Sequence, residues 1–120
     1  MNRFHFGAPP AAAAADRRVR VPGKIETREE LFRALREALP LPDYFGNNWD
    51  ALEECLGDLE WIPAGKILLI HEDVPLGHAP SEQRTYLSLL SAVAGESDRL
   101  VVIFPEACRT EVRKILALKN

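Results

Sequence analysis

Seven carboxylates, Glu37, Asp43, Asp50, Glu53, Glu54, Asp58 and Glu60, fall between Arg36 and Lys66 with no lysine or arginine among them. The chain's formal net charge is −3, so this stretch carries −7 and the remainder +4. Carboxylates concentrated in this way could do two kinds of chemistry. Enclosed in a cleft, a pair can act as general acid and base. Exposed on a rigid element, they offer acceptors to the guanidinium and ammonium groups of a cationic partner. Asp50 and Glu54 stand four residues apart, one helical turn, so a single helix face can present both. A short surface helix gives no sign of a cleft, which leaves binding and the plain alternative of a solvated helix face. Two features argue for binding. There are no interspersed lysines for pairing within the helix, and acids stand near its carboxyl end, where the helix dipole disfavours them.

Other chemistries find less support. His71, Glu72, Asp73 and His78 raise the remote alternative of a metal-dependent enzyme using His71 and His78, but their spacing matches no helical His-x-x-x-His pattern. Ser81 reads as a helix cap rather than a nucleophile, and no glycine-rich phosphate loop occurs. Cys55 and Cys108 are the only cysteines in 120 residues, too few for a disulfide framework and consistent with reduced thiols in the cytoplasm. Cys55 lies on an apolar stripe and reads as a structural thiol. Nothing here calls for a cofactor.

The elements that must position the acidic segment follow from periodicity. Thr27-Arg28-Glu29-Glu30 is a capping box, and Leu31, Phe32, Leu35, Ala38 and Leu39 follow at helical spacing, predicting a helix over Arg28–Leu39. Pro40 and Pro42 end it. Leu41–Asn47 is turn-rich, Gly46 supplies a positive φ, and one of Tyr44 and Phe45 belongs to the core. Asn48 caps a second helix running to Cys55 or Leu56, in which Trp49, Leu52, Cys55 and Leu56 form the buried stripe while Asp50, Glu53 and Glu54 project from another face. Gly57 is expected to close this helix, with Asp58 and Glu60 near its end.

Arg18–Val21 alternates charged and apolar residues up to Pro22-Gly23, a strand and a turn. Asn2–Phe6 alternates too and is an expected edge strand. Lys66–His71 and Leu100–Phe104 are short apolar runs typical of strands covered on both faces. Ser81 opens a third helix on Tyr86, Leu87, Leu90 and Val93, closed by Gly95, and Glu106–Leu118 forms a last helix on Val112, Ile115 and Leu116. The order strand, two helices, strand, helix, strand, helix calls for one α/β domain on a small parallel sheet.

Composition agrees, with 47% apolar residues in a chain of 120, ordinary for one globular domain. No apolar run approaches the roughly 20 residues that span a bilayer. Pro9-Pro10 interrupts the apolar N-terminal stretch and Arg17-Arg18 follows it, which argues against a secretory signal. The net charge argues against direct nucleic-acid binding.

Leu41-Pro42-Asp43-Tyr44-Phe45-Gly46-Asn47-Asn48-Trp49-Asp50-Ala51-Leu52-Glu53-Glu54-Cys55-Leu56 resembles the signature of the barstar family, roughly Leu-Pro-acid-Tyr-aromatic-Gly-x-Asn-x-Asp-Ala-Leu-x-acid-Cys-Leu. The resemblance extends from about Val19 to Phe104. It implies a three-stranded parallel sheet packed with helices, with residues 18–120 as a barstar-like domain. Residues 1–17 would add an edge strand and a flexible Ala/Pro-rich loop, and the final helix would be a further addition.

Best-known members of the family are cytoplasmic inhibitors that plug the active site of a secreted ribonuclease. Barnase and barstar are themselves the reference case for charge-steered association, so steering enters here with the resemblance. The resemblance implies a monomeric, cofactor-free stoichiometric inhibitor of a basic protein, above all a ribonuclease, with its working surface from about Leu41 to Trp61. Tyr44 matches the tyrosine that packs on the nuclease's catalytic histidine, Asp50 the aspartate that meets a guanidinium, and Glu54 the aspartate that enters the phosphate site. Asn48, Glu53, Asp58 and Trp61 complete the expected partner-binding set.

Two departures stand out. Glu53 replaces a tryptophan, and a second interface tryptophan is missing around Asp58–Leu59, with Trp61 nearby. These differences favour the alternative of a barstar-like adaptor for a basic partner that is not a nuclease.

Overall fold

The computed structural model describes residues 4–9, 16–39, 41, 48–58 and 65–117. Among them the chain runs β1 (His5–Phe6), β2 (Arg17–Val21), α1 (Arg28–Ala38), α2 (Trp49–Asp58), β3 (Ile67–His71), α3 (Pro80–Glu96), β4 (Leu100–Phe104), a 3₁₀ turn (Glu106–Cys108) and α4 (Arg109–Ala117). The expected α/β architecture is present. The strands form one parallel sheet in the order β1-β4-β3-β2, so the N-terminal strand is a fourth, edge member beside the three expected ones.

The central strand β3 is apolar on both faces because both are covered: Ile67, Leu68, Leu69 and His71 are buried. Alternation in β2 is the signature of a strand covered on one face only, with Val19 and Val21 buried and Arg18 and Arg20 exposed. β1 adds little backbone pairing, but Phe4 and Phe6 set their rings against Phe104 at centroid distances of 5.4 and 6.3 Å. α1 packs on β2, α2 on α3, and α3 on both β4 and α4. Leu31, Leu35, Leu52, Leu56, Leu87 and Leu90 are fully buried where these elements meet, and each such side chain contributes about 1.5–3 kcal/mol through removal from water.

Helix starts follow the sequence where a side chain does the capping. Thr27 Oγ1 accepts from Glu30 N at 3.1 Å, and Glu30 Oε1 accepts from Thr27 N at 3.2 Å, completing the capping box. Ser81 does not cap α3. The helix begins one residue earlier, at Pro80, whose fixed φ suits the first position and whose missing N–H needs no acceptor; Ala79 stands at the cap without a side-chain bond.

Neither expected glycine terminator operates. Gly57 lies within α2, which continues to Asp58, and Gly95 lies within α3, which ends only where Ser97 turns extended at φ −123°. A Cβ at either glycine would meet nothing within 4 Å, and neither has positive φ, so nothing there requires glycine. The predicted last helix divides into the 3₁₀ turn and α4; Leu118 lies outside the described residues, as do Asn2 and Arg3 of the expected first strand.

Candidate protein-binding site

α2 is fixed at its first turn by Asn48, whose Oδ1 accepts from Ala51 N at 2.8 Å while its carbonyl accepts from Leu52 N at 3.0 Å. Asn48, expected at the partner surface, thus commits its carboxamide oxygen to holding the helix. Leu52, Cys55 and Leu56 anchor one side of α2 with no exposed surface. Trp49 is half-buried between α1 and α3, its ring 5.1 Å from Phe32 in an edge-on contact and 6.1 Å from Tyr86. Trp49 therefore serves mainly as a wedge that sets the helix against its neighbours.

The opposite side carries Asp50, Glu53, Glu54 and Asp58, all exposed. None of their carboxylates takes part in a hydrogen bond or ion pair among the described residues. Asp50 in the first turn is favoured by the helix dipole, whereas Asp58 in the last turn is opposed by it, with no basic residue there to compensate. Tyr44 and Trp61 lie outside the described residues, as do Asp43, Phe45, Gly46, Leu59 and Glu60.

Asp50 and Glu53 also form one wall of a groove of about 690 Å³ between α2 and α3, floored by Trp49, Leu89 and Leu116 and faced by Arg84, Thr85 and Ser88 of α3. This facing wall is not among the sequence-derived site residues. Its polar positions avoid the Tyr86, Leu87 and Leu90 stripe, but no sequence signal connects them to a helix some thirty residues upstream.

The histidine and acid cluster serves the fold. Nδ1 of His71 lies 3.1 Å from the Ile103 carbonyl and Nε2 lies 2.7 Å from the Tyr86 hydroxyl, so both ring nitrogens are engaged. Its ring stacks on Phe104 at 4.2 Å, and burial pushes the imidazole pKa from 6.5 down to about 4. Glu72 Oε1 accepts from Gly23 N and Asp73 Oδ2 from Lys24 N, each at 3.1 Å, tying down the turn after β2. A Cβ at Gly23 would stand 3.1 Å from Asp73 Oδ2, close enough that the carboxylate holding Lys24 N would have to shift. His78 is exposed, 4.0 Å from Glu26. Among the described residues no group of three or more histidine, cysteine, aspartate or glutamate side chains could hold a metal ion. Cys55 and Cys108 form no disulfide, the first being buried as its place on the α2 stripe requires and the second pushed up in pKa by partial burial and by Glu111.

The parallel α/β sheet agrees with the fold that the signature implied, and among the described residues it carries an exposed acidic helix face with no partner. The family model described as Barstar (barnase inhibitor) matches residues 19–109, well over half of the 120-residue chain. The chain belongs to the barstar family. The match begins inside β2 and ends at the first residue of α4, so β1 and nearly all of α4 lie outside it. The whole of α2 and both walls of the groove up to Ala92 lie within the barstar match. A search of curated proteins gives no match. No helix among the described residues is long and apolar enough to cross a membrane.

Proposed function

We propose that this chain is a stoichiometric inhibitor of a basic ribonuclease of barnase's kind, acting as a monomer in the cytoplasm without cofactor or catalysis of its own. The observation that carries the reading is the state of α2. One side is locked into the core by Leu52, Cys55 and Leu56, and the other holds four exposed carboxylates that no described residue neutralises. A ribonuclease presents cations to its scissile phosphate, and a rigid row of carboxylates imitates that phosphate while giving up little entropy on binding. Asp50 and Glu54 occupy two cationic subsites one helical turn apart, Tyr44 packs on the catalytic histidine, and Glu53, Asp58 and Trp61 border them. Asn48 holds the first turn of the helix as its cap.

The test is titration of the chain into an RNA-cleavage assay with barnase. Inhibition is expected to end at one-to-one stoichiometry, and Asp50→Ala or Glu54→Ala should each weaken it by about 2–5 kcal/mol, the range for a desolvated charge pair cut on one side and one partly established on barnase and barstar themselves. Absence of inhibition, or two variants as potent as wild type, would overturn the reading. A second reading, an adaptor for a basic non-nuclease protein, is favoured by Glu53, an exposed acid where the family's best-known member has a tryptophan. Failure against barnase together with Asp50-dependent binding of another basic protein would establish it.

A further inference from the structure

The groove between α2 and α3 holds a charge that the acidic face does not explain. Arg84 lines it opposite Asp50 and Glu53. It is half-buried, yet no described carboxylate oxygen comes within 4.0 Å of its guanidinium, and it makes no hydrogen bond among the described residues. Asp50 and Glu53 are likewise unpaired among the described residues, so the groove sets three formal charges of both signs side by side with no partner among those residues. Its floor of Trp49, Leu89 and Leu116 is apolar and suits the methylene stem of a long side chain.

We propose that this groove is the second half of the binding surface and that Arg84 is a specificity determinant within it, reading a carboxylate of the partner. The occupant is a surface segment of the ribonuclease in which an arginine or lysine stands beside an aspartate or glutamate. Its cation meets Asp50 and Glu53, its stem lies on Trp49, and its acid meets Arg84. A segment carrying cations alone would bring like charge against a half-buried guanidinium as water leaves the groove, where unpaired charges interact most strongly. Arg84 thus admits a mixed-charge surface and rejects a uniformly basic one. The inference rests on the proposed inhibitor function and adds to it the character of the partner's surface.

Charge reversal separates this from general attraction. If only the overall acidic field matters, Arg84→Glu makes the chain more negative and should bind basic barnase faster and more tightly. So should a control reversal, Arg18→Glu, on the exposed side of the β2 edge strand. If Arg84 reads a carboxylate, the two variants part: Arg18→Glu holds or gains affinity, while Arg84→Glu loses about tenfold or more through faster dissociation, and Arg84→Ala loses less. Surface-plasmon measurements on immobilised barnase, with thermal melts to confirm that each variant folds, give the result. Arg84→Glu binding as tightly as wild type or tighter overturns the assignment. If wild type binds and Asp50→Ala does not while both Arg84 variants are unaffected, only the assignment of Arg84 fails; if wild type does not bind, the inhibitor reading falls and takes this one with it.

Discussion

His71 shows how a single side chain can be legible as a chemical group and misleading as a function. Ile103 O can only accept, so Nδ1 carries the proton; the neutral ring then accepts from the Tyr86 hydroxyl through Nε2. Burial holds the folded pKa at about 4, against 6.5 for an exposed imidazole. Between those values the unfolded chain binds more protons than the folded one. Stability from this group is therefore complete above about pH 6.5 and is lost as pH falls toward 4, by about 3 kcal/mol in all. Urea unfolding at pH 7 and pH 4.5 should show most of that difference, and a wild-type midpoint that does not move would refute the assignment. Tyr86→Phe should cost about 1–3 kcal/mol at pH 7, since it leaves Nε2 buried without a donor. The sequence kept His71 as a metal ligand only as a remote alternative, because a histidine at a strand end looks alike in both roles; the partner that decides between them, Tyr86, is on a separate helix and unmarked. Asp50, Glu53 and Glu54 were legible because charge and helical spacing fix their side of the helix without tertiary information. Arg84 was not, because its relation to them arises only when α2 packs on α3.

Periodicity located every helix among the described residues, and the buried stripes of α1 and α2 fall where their spacing placed them. Terminators were harder to place, since glycine marks a helix end only when the backbone there takes positive φ, and sequence does not reveal that. The two ends of α2 turn this into opposite predictions. Asn48→Ala removes the acceptor for Ala51 N and should destabilise by about 1 kcal/mol. Gly57→Ala adds a methyl group to open space in a helical residue and should stabilise by about 0.5–1 kcal/mol. Thermal melts read both effects. Barnase binding should be weakened in Asn48→Ala beyond its stability loss, because the first turn carries Asp50, and unchanged in Gly57→Ala. A Gly57→Ala protein that melts below wild type would show that the last turn of α2 needs glycine after all.

Across the whole chain, charge is segregated: −7 lies between Arg36 and Lys66, in a protein whose total is −3. Along β2, by contrast, Arg17, Arg18 and Arg20 are exposed at an open sheet edge, where guanidinium groups discourage pairing with another strand. On the proposed function, a partner with a basic active site would be attracted by the four exposed carboxylates of α2 and repelled by the arginines of β2, which would orient the encounter before contact. The consequence is kinetic. Raising salt from about 0.1 to 1 M shortens the screening length from about 10 to 3 Å, which removes steering at a distance but leaves groups in contact largely unscreened. Association with barnase should slow by about tenfold or more over that range, while dissociation changes little. Glu54→Ala and Arg84→Glu should show the reverse, with their effects mainly in dissociation, since each breaks a contact made only after docking. If salt instead acted chiefly on dissociation, the exposed carboxylates would be contributing through close contact alone, and the segregation of charge over the chain would have no part in recognition.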